Sequence, residues 1–372
     1  MRAQASHAVL PRTTHDELAR QNFVQSMRTN VTGPLTAGNR IVFEQHAKPL
    51  FRREHDREPV SRTEVGSVMR REPYYQAWSA LMRTTQEMLW DSVGDSVERQ
   101  LPELIARARR PSRRTNGSLT LDPALAMPRY IEAVDIHVMP GNFQTETTTD
   151  DVYAGALYDR GVYVFLMGNI GSFNEGLGSL NCEFLKSDLP EFRPRRILDM
   201  GCSVGHSTLP YVDAFPDAEV YGLDVGAPML RYAHARSQSL GKRVHWVQMD
   251  ATATTFPDGH FDLVVSHLLL HECPQSTIRS LFRESHRLLA SGGIMLHSDA
   301  PKRNMTAYDE WLMDWNTHYN NEPFARGSRD LDFEREALAA GFRRENLLTF
   351  GRKALYLAEM FRESGARGAR KA

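Results

Sequence analysis

The sequence predicts an α/β chain, with an open and mainly parallel sheet in the C-terminal half and a mostly helical region before it. Three observations carry this. After Arg195, short apolar runs alternate with amphipathic helical segments, the pattern of successive βαβ units. The stretch 196–225, RILDMGCSVGHSTLPYVDAFPDAEVYGLDV, reads as strand, small-residue turn, helix, strand and acid. Before residue 110, apolar residues recur at helical spacing.

At 372 residues the chain has room for two domains of ~150 residues each. Hydrophobic content of 41% and charged content of 24% are those of an ordinary globular protein. A formal net charge of −1 leaves no electrostatic footprint for nucleic acid or an anionic membrane. The three cysteines, Cys182, Cys202 and Cys273, form no CxxC pair, which points to a reducing compartment without a disulfide framework or a zinc motif. No apolar run reaches the ~18 residues of a membrane span, and the start lacks the apolar core of a secretory signal. The expectation is a cytoplasmic protein with no metal, no nucleic acid and no membrane among its partners. Nothing in the sequence bears on its oligomeric state.

In chain order, residues 1–14 read as loose. A helix follows from His15, with Leu18, Phe23, Val24 and Met27 on a broad face. Gly33, Pro34 and Gly38 mark 30–39 as a loop, before a short helix over 40–53. Ser61 and Glu64 stand at capping-box spacing. A long helix covers 72–109, with a possible break near Gly94 and a core stripe of Tyr74, Tyr75, Trp78, Leu81, Met82, Leu89, Val93 and Val97. The basic run 107–114 has no interleaved aromatic residue and reads as a solvated linker. The region 119–149 is less regular. There His137 and Asn142 flank the Pro140-Gly141 turn, and either face a ligand or cap local backbone. Residues 1–150 are thus a mostly helical N-terminal domain or cap. Residues 151–190 are a helical lead-in with Tyr153, Leu157, Tyr158, Val162, Phe165 and Leu166 on its apolar side.

The turn at 201–205 carries the chemistry. Gly201, Cys202, Ser203 and Gly205 let backbone approach a ligand closely, and the helix that begins near Ser207 offers free N–H groups. Asp224 closes the next strand 19 residues after Gly205, near the ~20 expected for an acid that accepts hydrogen bonds from two ribose hydroxyls. The dinucleotide pattern GxGxxG is not met, because Ser203 and His206 occupy its later positions. The pattern hhDxGxGxG is met, with Ser203 replacing one glycine.

This resembles motif I of class I S-adenosylmethionine (SAM)-dependent methyltransferases. The resemblance continues through 247–251 (VQMDA), 261–267 (FDLVVSH), 288–296 (LLASGGIML) and 331–342 (LDFEREALAAGF), and covers about 195–359. It implies a Rossmann-like seven-stranded SAM-methyltransferase sheet over 191–361. Its closing hairpin would be formed by 346–350 and 355–360. The tail 362–372 is polar and basic in composition and reads as disordered. The resemblance implies SAM as cofactor, lying across Gly201, Cys202, Ser203 and Gly205. Asp224 and Val225 would meet the ribose and Asp250 and Ala251 the adenine, with Ser266, His267 and Tyr163 completing the site. Helices before motif I often cover the pocket in this family, so Tyr153, Tyr158 and Tyr163 either cover it or pack in the core. The connection 298–330 exceeds the ~2–6 residues that suffice for a plain link, and it carries Tyr308, Trp311, Leu312, Trp315 and Tyr319. It reads as a substrate lid, whose aromatic side can also pack on the N-terminal helices.

Methyl transfer from a sulfonium needs alignment and exclusion of water more than elaborate catalysis. A base is needed only where the nucleophile must lose a proton. His267 and His271 in SHLLLHE, together with Tyr158, are the catalytic candidates. His271 resembles the histidine found here in many small-molecule methyltransferases, the alternative being a packed or surface residue. Asn142, Tyr153, Tyr158, Trp311 and Trp315 are the substrate candidates. The segment is not HExxH, so it is not a zinc-protease site. The (D/N/S)PPY motif of nucleic-acid amino-methyltransferases is missing from 266–269, and no paired glutamates of the protein-arginine type are present. Both absences favour a small-molecule acceptor, a metabolite or natural product. Two other classes stay open: an enzyme of this fold that cyclises or cleaves SAM itself, releasing methylthioadenosine, and an inactive SAM-binding protein.

Overall fold

The computed structural model describes residues 3–110, 117–299, 305–349 and 367–372. Eight strands form one sheet among them: β1 (Ser118–Thr120), β2 (Arg196–Met200), β3 (Glu219–Asp224), β4 (His245–Gln248), β5 (Phe261–His267), β6 (Leu289–Ser298), β7 (Leu347–Thr349) and β8 (Arg367–Arg370). Their order is β1-β4-β3-β2-β5-β6-β8-β7. Neighbours from β1 to β6 run parallel, and β8 runs antiparallel to β6 and β7. The architecture is Rossmann-like, and the chain reverses direction across the sheet at β2 and β5. The C-terminal ends of these strands are where such folds bind ligands.

Alternation builds the two faces of the sheet. Ile197, Val220, Leu263, Val265, Ile294 and Leu296 face one core together with the fully buried Trp246. Leu198, Met200, Leu223, Val264 and Met295 face the other. Parallel strands covered on both faces are apolar throughout, as these are.

The structure departs from the sequence expectations in several places. Among the described residues the sheet has eight strands where seven were expected. Leu119 pairs with Trp246 and adds β1 beyond β4. Residues 367–370, expected in a disordered tail, form β8, with Ala369 buried opposite Met295. A polar, basic composition had hidden this short pairing segment. The expected strand at 355–360 lies outside the described residues. The expected loop at 30–39 is helical. The chain continues from His15–Asn30 through a π-turn (Val31–Leu35), Thr36–Val42, a second π-turn (Phe43–Ala47) and Lys48–His55. The wider π-turn accommodates Pro34, which lacks an N–H. The Trp78 indole donates to the Val31 carbonyl there. The long N-terminal helix breaks near Gln100 and not near Gly94, giving Pro73–Glu98 and Leu101–Ala108. The first residues are held as well: Val9 is fully buried and His7 lies 2.8 Å from Asp159.

The N-terminal helices cover the sheet's ligand edge. Leu89, Trp90 and Val93 pack with Leu157 and with Met229 and Tyr232 of helix Ala227–Ser239. The 298–330 connection packs on them from the other side. Tyr308, Trp311 and Trp315 share a core with Phe43, Val65, Tyr75 and Trp78. A side chain at Gly66 would meet the Trp311 indole at 2.9 Å, so only glycine permits that approach. Among the described residues no helix is long and apolar enough to cross a membrane.

Candidate active site

At the end of β2 the chain turns through Gly201 (φ +68), Ser203 (φ +44) and Gly205 (φ +79). A side chain at Gly205 would meet the Trp246 ring at 2.5 Å, so glycine is required by both backbone angle and space. The turn is tied to the end of β3. Gly201 and Cys202 N–H donate to the Leu223 carbonyl at 2.8 and 3.0 Å. Ser203 N–H donates to Asp224 Oδ2 at 2.8 Å, and Gly226 N–H donates to Oδ1 at 2.9 Å. Burial raises the Asp224 carboxyl, and these donors work against that rise. The Thr208 hydroxyl donates to Asp199 Oδ2 at 2.6 Å, while Asp199 Oδ1 is buried without a hydrogen-bond partner. Burial pushes this carboxyl up to about 7. The Thr252 N–H and hydroxyl both donate to Asp250 Oδ1.

A cavity of about 1000 Å³ opens from this turn. One half is walled by Gly201, Cys202, Ser203, Asp224, Val225, Asp250 and Ala251. The other is walled by Trp78, Trp90, Phe143, Phe165, Leu312 and Trp315, and its polar floor is a histidine–carboxylate cluster. His137 Nε2 lies 2.8 Å from Glu272 Oε1, and His271 Nε2 lies 3.3 Å from the same oxygen. His271 Nδ1 lies 2.7 Å from Asp299 Oδ1, and His271 N–H donates to Asp299 Oδ2. His137 Nδ1 lies 2.9 Å from Glu322 Oε1. Burial opposes protonation of His271, but Asp299 and Glu272 outweigh it and hold the imidazole well above its ordinary value. The same balance, set by Glu322 and Glu272, raises His137 to about 10. His137 itself sits in the left-handed region (φ +55).

Residues 197–293 match a family model described as a methyltransferase domain. The chain is 33% identical over 111 residues to a demethylmenaquinone methyltransferase of Thermus thermophilus, covering 30% of this chain and 50% of the relative. It is 36% identical over 111 residues to a trans-aconitate 2-methyltransferase of Methylobacterium radiotolerans, covering 30% and 40%. It is 34% identical over 113 residues to a malonyl-[acyl-carrier protein] O-methyltransferase of Pseudescherichia vulneris, covering 30% and 42%. Residues 197–293 therefore carry a methyltransferase domain. The chain spans at most half the length of these relatives.

Within this methyltransferase domain the cofactor-side expectations divide. Gly201, Cys202, Ser203, Asp224, Val225, Asp250, Ala251 and His267 line the cavity, while Gly205 shapes the turn from behind. Ser266 does not line it, because its hydroxyl pairs with His297 Nδ1 at 2.7 Å inside the sheet. Tyr163 is also displaced from it, buried against Gly168 with the Arg160 guanidinium over its ring. His267 faces the cavity next to Tyr211, 3.1 Å away, and burial with the neighbouring His297 pushes its imidazole down to about 3. That value makes it a neutral wall residue and a poor base at neutral pH.

On the acceptor side, Tyr158, Trp315 and His271 line the cavity. Asn142 does not, since its amide caps local backbone through the Ile131 and Val134 carbonyls. Tyr153 points to Glu98 (3.3 Å) on the far side of its helix, and Trp311 is buried against Tyr75. The sequence reading missed Glu272, Asp299 and Glu322. Glu272 was visible beside His271, but the other two have no local pattern that marks them. It also missed Asp159, whose carboxylate gathers His7, His206 and Tyr232, each at 2.8 Å. His206 in turn stacks on Tyr158 at the cavity wall.

Proposed function

We propose that the protein transfers the methyl group of SAM to a small-molecule acceptor seated over the His271 cluster. SAM lies with its adenine by Asp250, its ribose on Asp224 and its methionine portion towards Asp199. The unpartnered Asp199 oxygen suits the ammonium group of the ligand. The observation that carries the reading is the size and continuity of the cavity. About 1000 Å³ stands at the upper end of the ~300–1,000 Å³ typical of small-molecule sites. That leaves room beyond the cofactor for a second reactant. When bound, SAM would supply an electrophilic methyl group whose C–S bond breaks with its electron pair left on sulfur, while the acceptor oxygen gives up its proton to solvent. His271 and Glu272 orient that oxygen, and the aromatic wall excludes water.

The same proposal takes 1–150 as a cap, 151–190 as its lead-in and 298–330 as the lid over the acceptor. It takes the protein as a cytoplasmic enzyme with no nucleic-acid partner, in keeping with a net charge of −1 and three free cysteines. The test is mass spectrometry of protein incubated with SAM alone, and with SAM plus a panel of hydroxyl-bearing acids and phenols. S-adenosylhomocysteine formed only with an acceptor is expected. Methylthioadenosine formed from SAM alone would overturn the proposal in favour of attack within SAM.

A further inference from the structure

We propose that His137, His271 and Glu272 bind one divalent transition-metal ion, of the zinc or ferrous type, at the acceptor end of the cavity. Two imidazoles and one carboxylate are the donor set of open catalytic zinc sites and of non-haem iron sites, and they are a poor match for magnesium, which takes oxygen. The three donor atoms lie within 4.8 Å of one another. Ligands held about 2.1 Å from a metal stand about 3.0 Å apart at right angles and about 3.4 Å apart at the tetrahedral angle. The observed edges from Glu272 Oε1 are 2.8 Å to His137 Nε2 and 3.3 Å to His271 Nε2.

Two further observations point to an ion. His271 has its far nitrogen hydrogen-bonded to a carboxylate, Nδ1 on Asp299 Oδ1, and His137 Nδ1 lies 2.9 Å from Glu322 Oε1 in an ion-pair contact without hydrogen-bond geometry. Such carboxylate–histidine pairs fix which nitrogen faces a metal and make it a better donor. The second oxygen of Glu272, Oε2, is buried and has no hydrogen-bond partner. An ion held by the carboxylate through both oxygens would satisfy it. The three carboxylates that hold two imidazole protons in the empty site would equally hold one divalent cation, whose binding would release those two protons.

Three protein ligands leave positions open towards the cavity. This names an acceptor class: a small molecule that presents an oxygen donor, a hydroxyl or enol, to the ion. A metal lowers the pKa of a bound hydroxyl, as it lowers that of water from 15.7 to ~7. An oxygen so held would lose its proton to solvent more readily and would be the atom that takes the methyl group. This acceptor role rests on the methyl-transfer reading above, whereas the ion site itself does not. No spacing motif joins these residues in the sequence, since His137 stands 135 residues from Glu272.

The experiment uses tag-free full-length protein, stripped with chelator and titrated with Co²⁺ and then with Zn²⁺. Calorimetry and visible ligand-field absorption are the readouts. One ion per chain is expected. His137→Ala and Glu272→Gln should each weaken binding by more than 10²-fold, and Asp299→Asn by about 10–100-fold. SAM affinity, measured on the same samples, verifies that each variant is folded. Absence of stoichiometric binding, or binding that survives both His137→Ala and Glu272→Gln, overturns the inference and leaves the cluster as an ion-pair network. SAM binding without metal binding removes this inference alone. Metal binding without SAM binding removes the methyl-transfer reading alone.

Discussion

Ser203 reaches Asp224 across 21 residues, whereas His137 reaches Glu272 across 135. The two contacts stand for the two halves of one cavity. The cofactor half comes from consecutive strand–turn–helix units, so the spacing along the chain nearly determines the geometry. The acceptor half is assembled from an irregular N-terminal stretch, the turn after β5 and the 298–330 connection. Trp311 and Trp315 pack on the N-terminal helices and close it from that side. The first half tolerates little change in backbone shape, and the second depends on long-range packing.

The largest expected effect lies under the cofactor half. Trp246 is fully buried beneath Gly205 and Gly222, and its indole donates to Ser237 Oγ. Trp246→Ala should cost about 3–5 kcal/mol of stability, read as a lower denaturation midpoint. A loss below 1 kcal/mol would show that the turn does not depend on that packing. Next is the acceptor half. His271→Ala should slow methyl transfer on the order of 10²-fold through misalignment, with SAM affinity nearly unchanged. Steady-state kinetics that match the wild type would return His271 to a packing role.

These contrasts also explain what could be read in advance. Alternation along β2, β3 and β5, the turn at 201–205 and Asp224 were legible because period and spacing are local properties. β1 and β8 were not, since strands of three and four residues are settled by their partners and carry little periodicity of their own. The helical path through Pro34 was hidden because a π-turn absorbs a residue that ordinarily breaks a helix. Ser266 and Tyr163 stand near the pocket in chain order, but their side chains turn into the core. His137 was visible as one of two loop residues, Asn142 being the other. Only tertiary structure separates the one in the cavity from the one that caps backbone.

A smaller effect concerns protons. Burial raises Asp199 to about 7 from an ordinary 3.8. The folded chain therefore holds this proton where the unfolded chain has lost it, so the contribution of this group to stability falls as pH rises from about 4 to 7. A cationic ligand beside the carboxylate favours the ionised form. SAM binding near pH 6 should then release up to about one proton, seen as a dependence of the calorimetric enthalpy on buffer ionisation and lost in Asp199→Asn. Buffer-independent enthalpies would place the cation elsewhere. The smallest effect is expected at Tyr153, which faces Glu98 and not the cavity. Tyr153→Phe should leave turnover within about twofold, and a larger loss would mean that the cap reaches the acceptor through that helix.

The central claim is that the two halves are separable, with the cofactor held by the local turn and not by the long-range cluster. Calorimetric titration of SAM into wild type, Asp224→Ala and His137→Ala tests it most directly. The account predicts that Asp224→Ala weakens SAM by roughly 1–3 kcal/mol, the loss of charged hydrogen bonds to two hydroxyls, and that His137→Ala leaves the affinity within about twofold. Unchanged affinity for Asp224→Ala, or an equal loss in both variants, would contradict it.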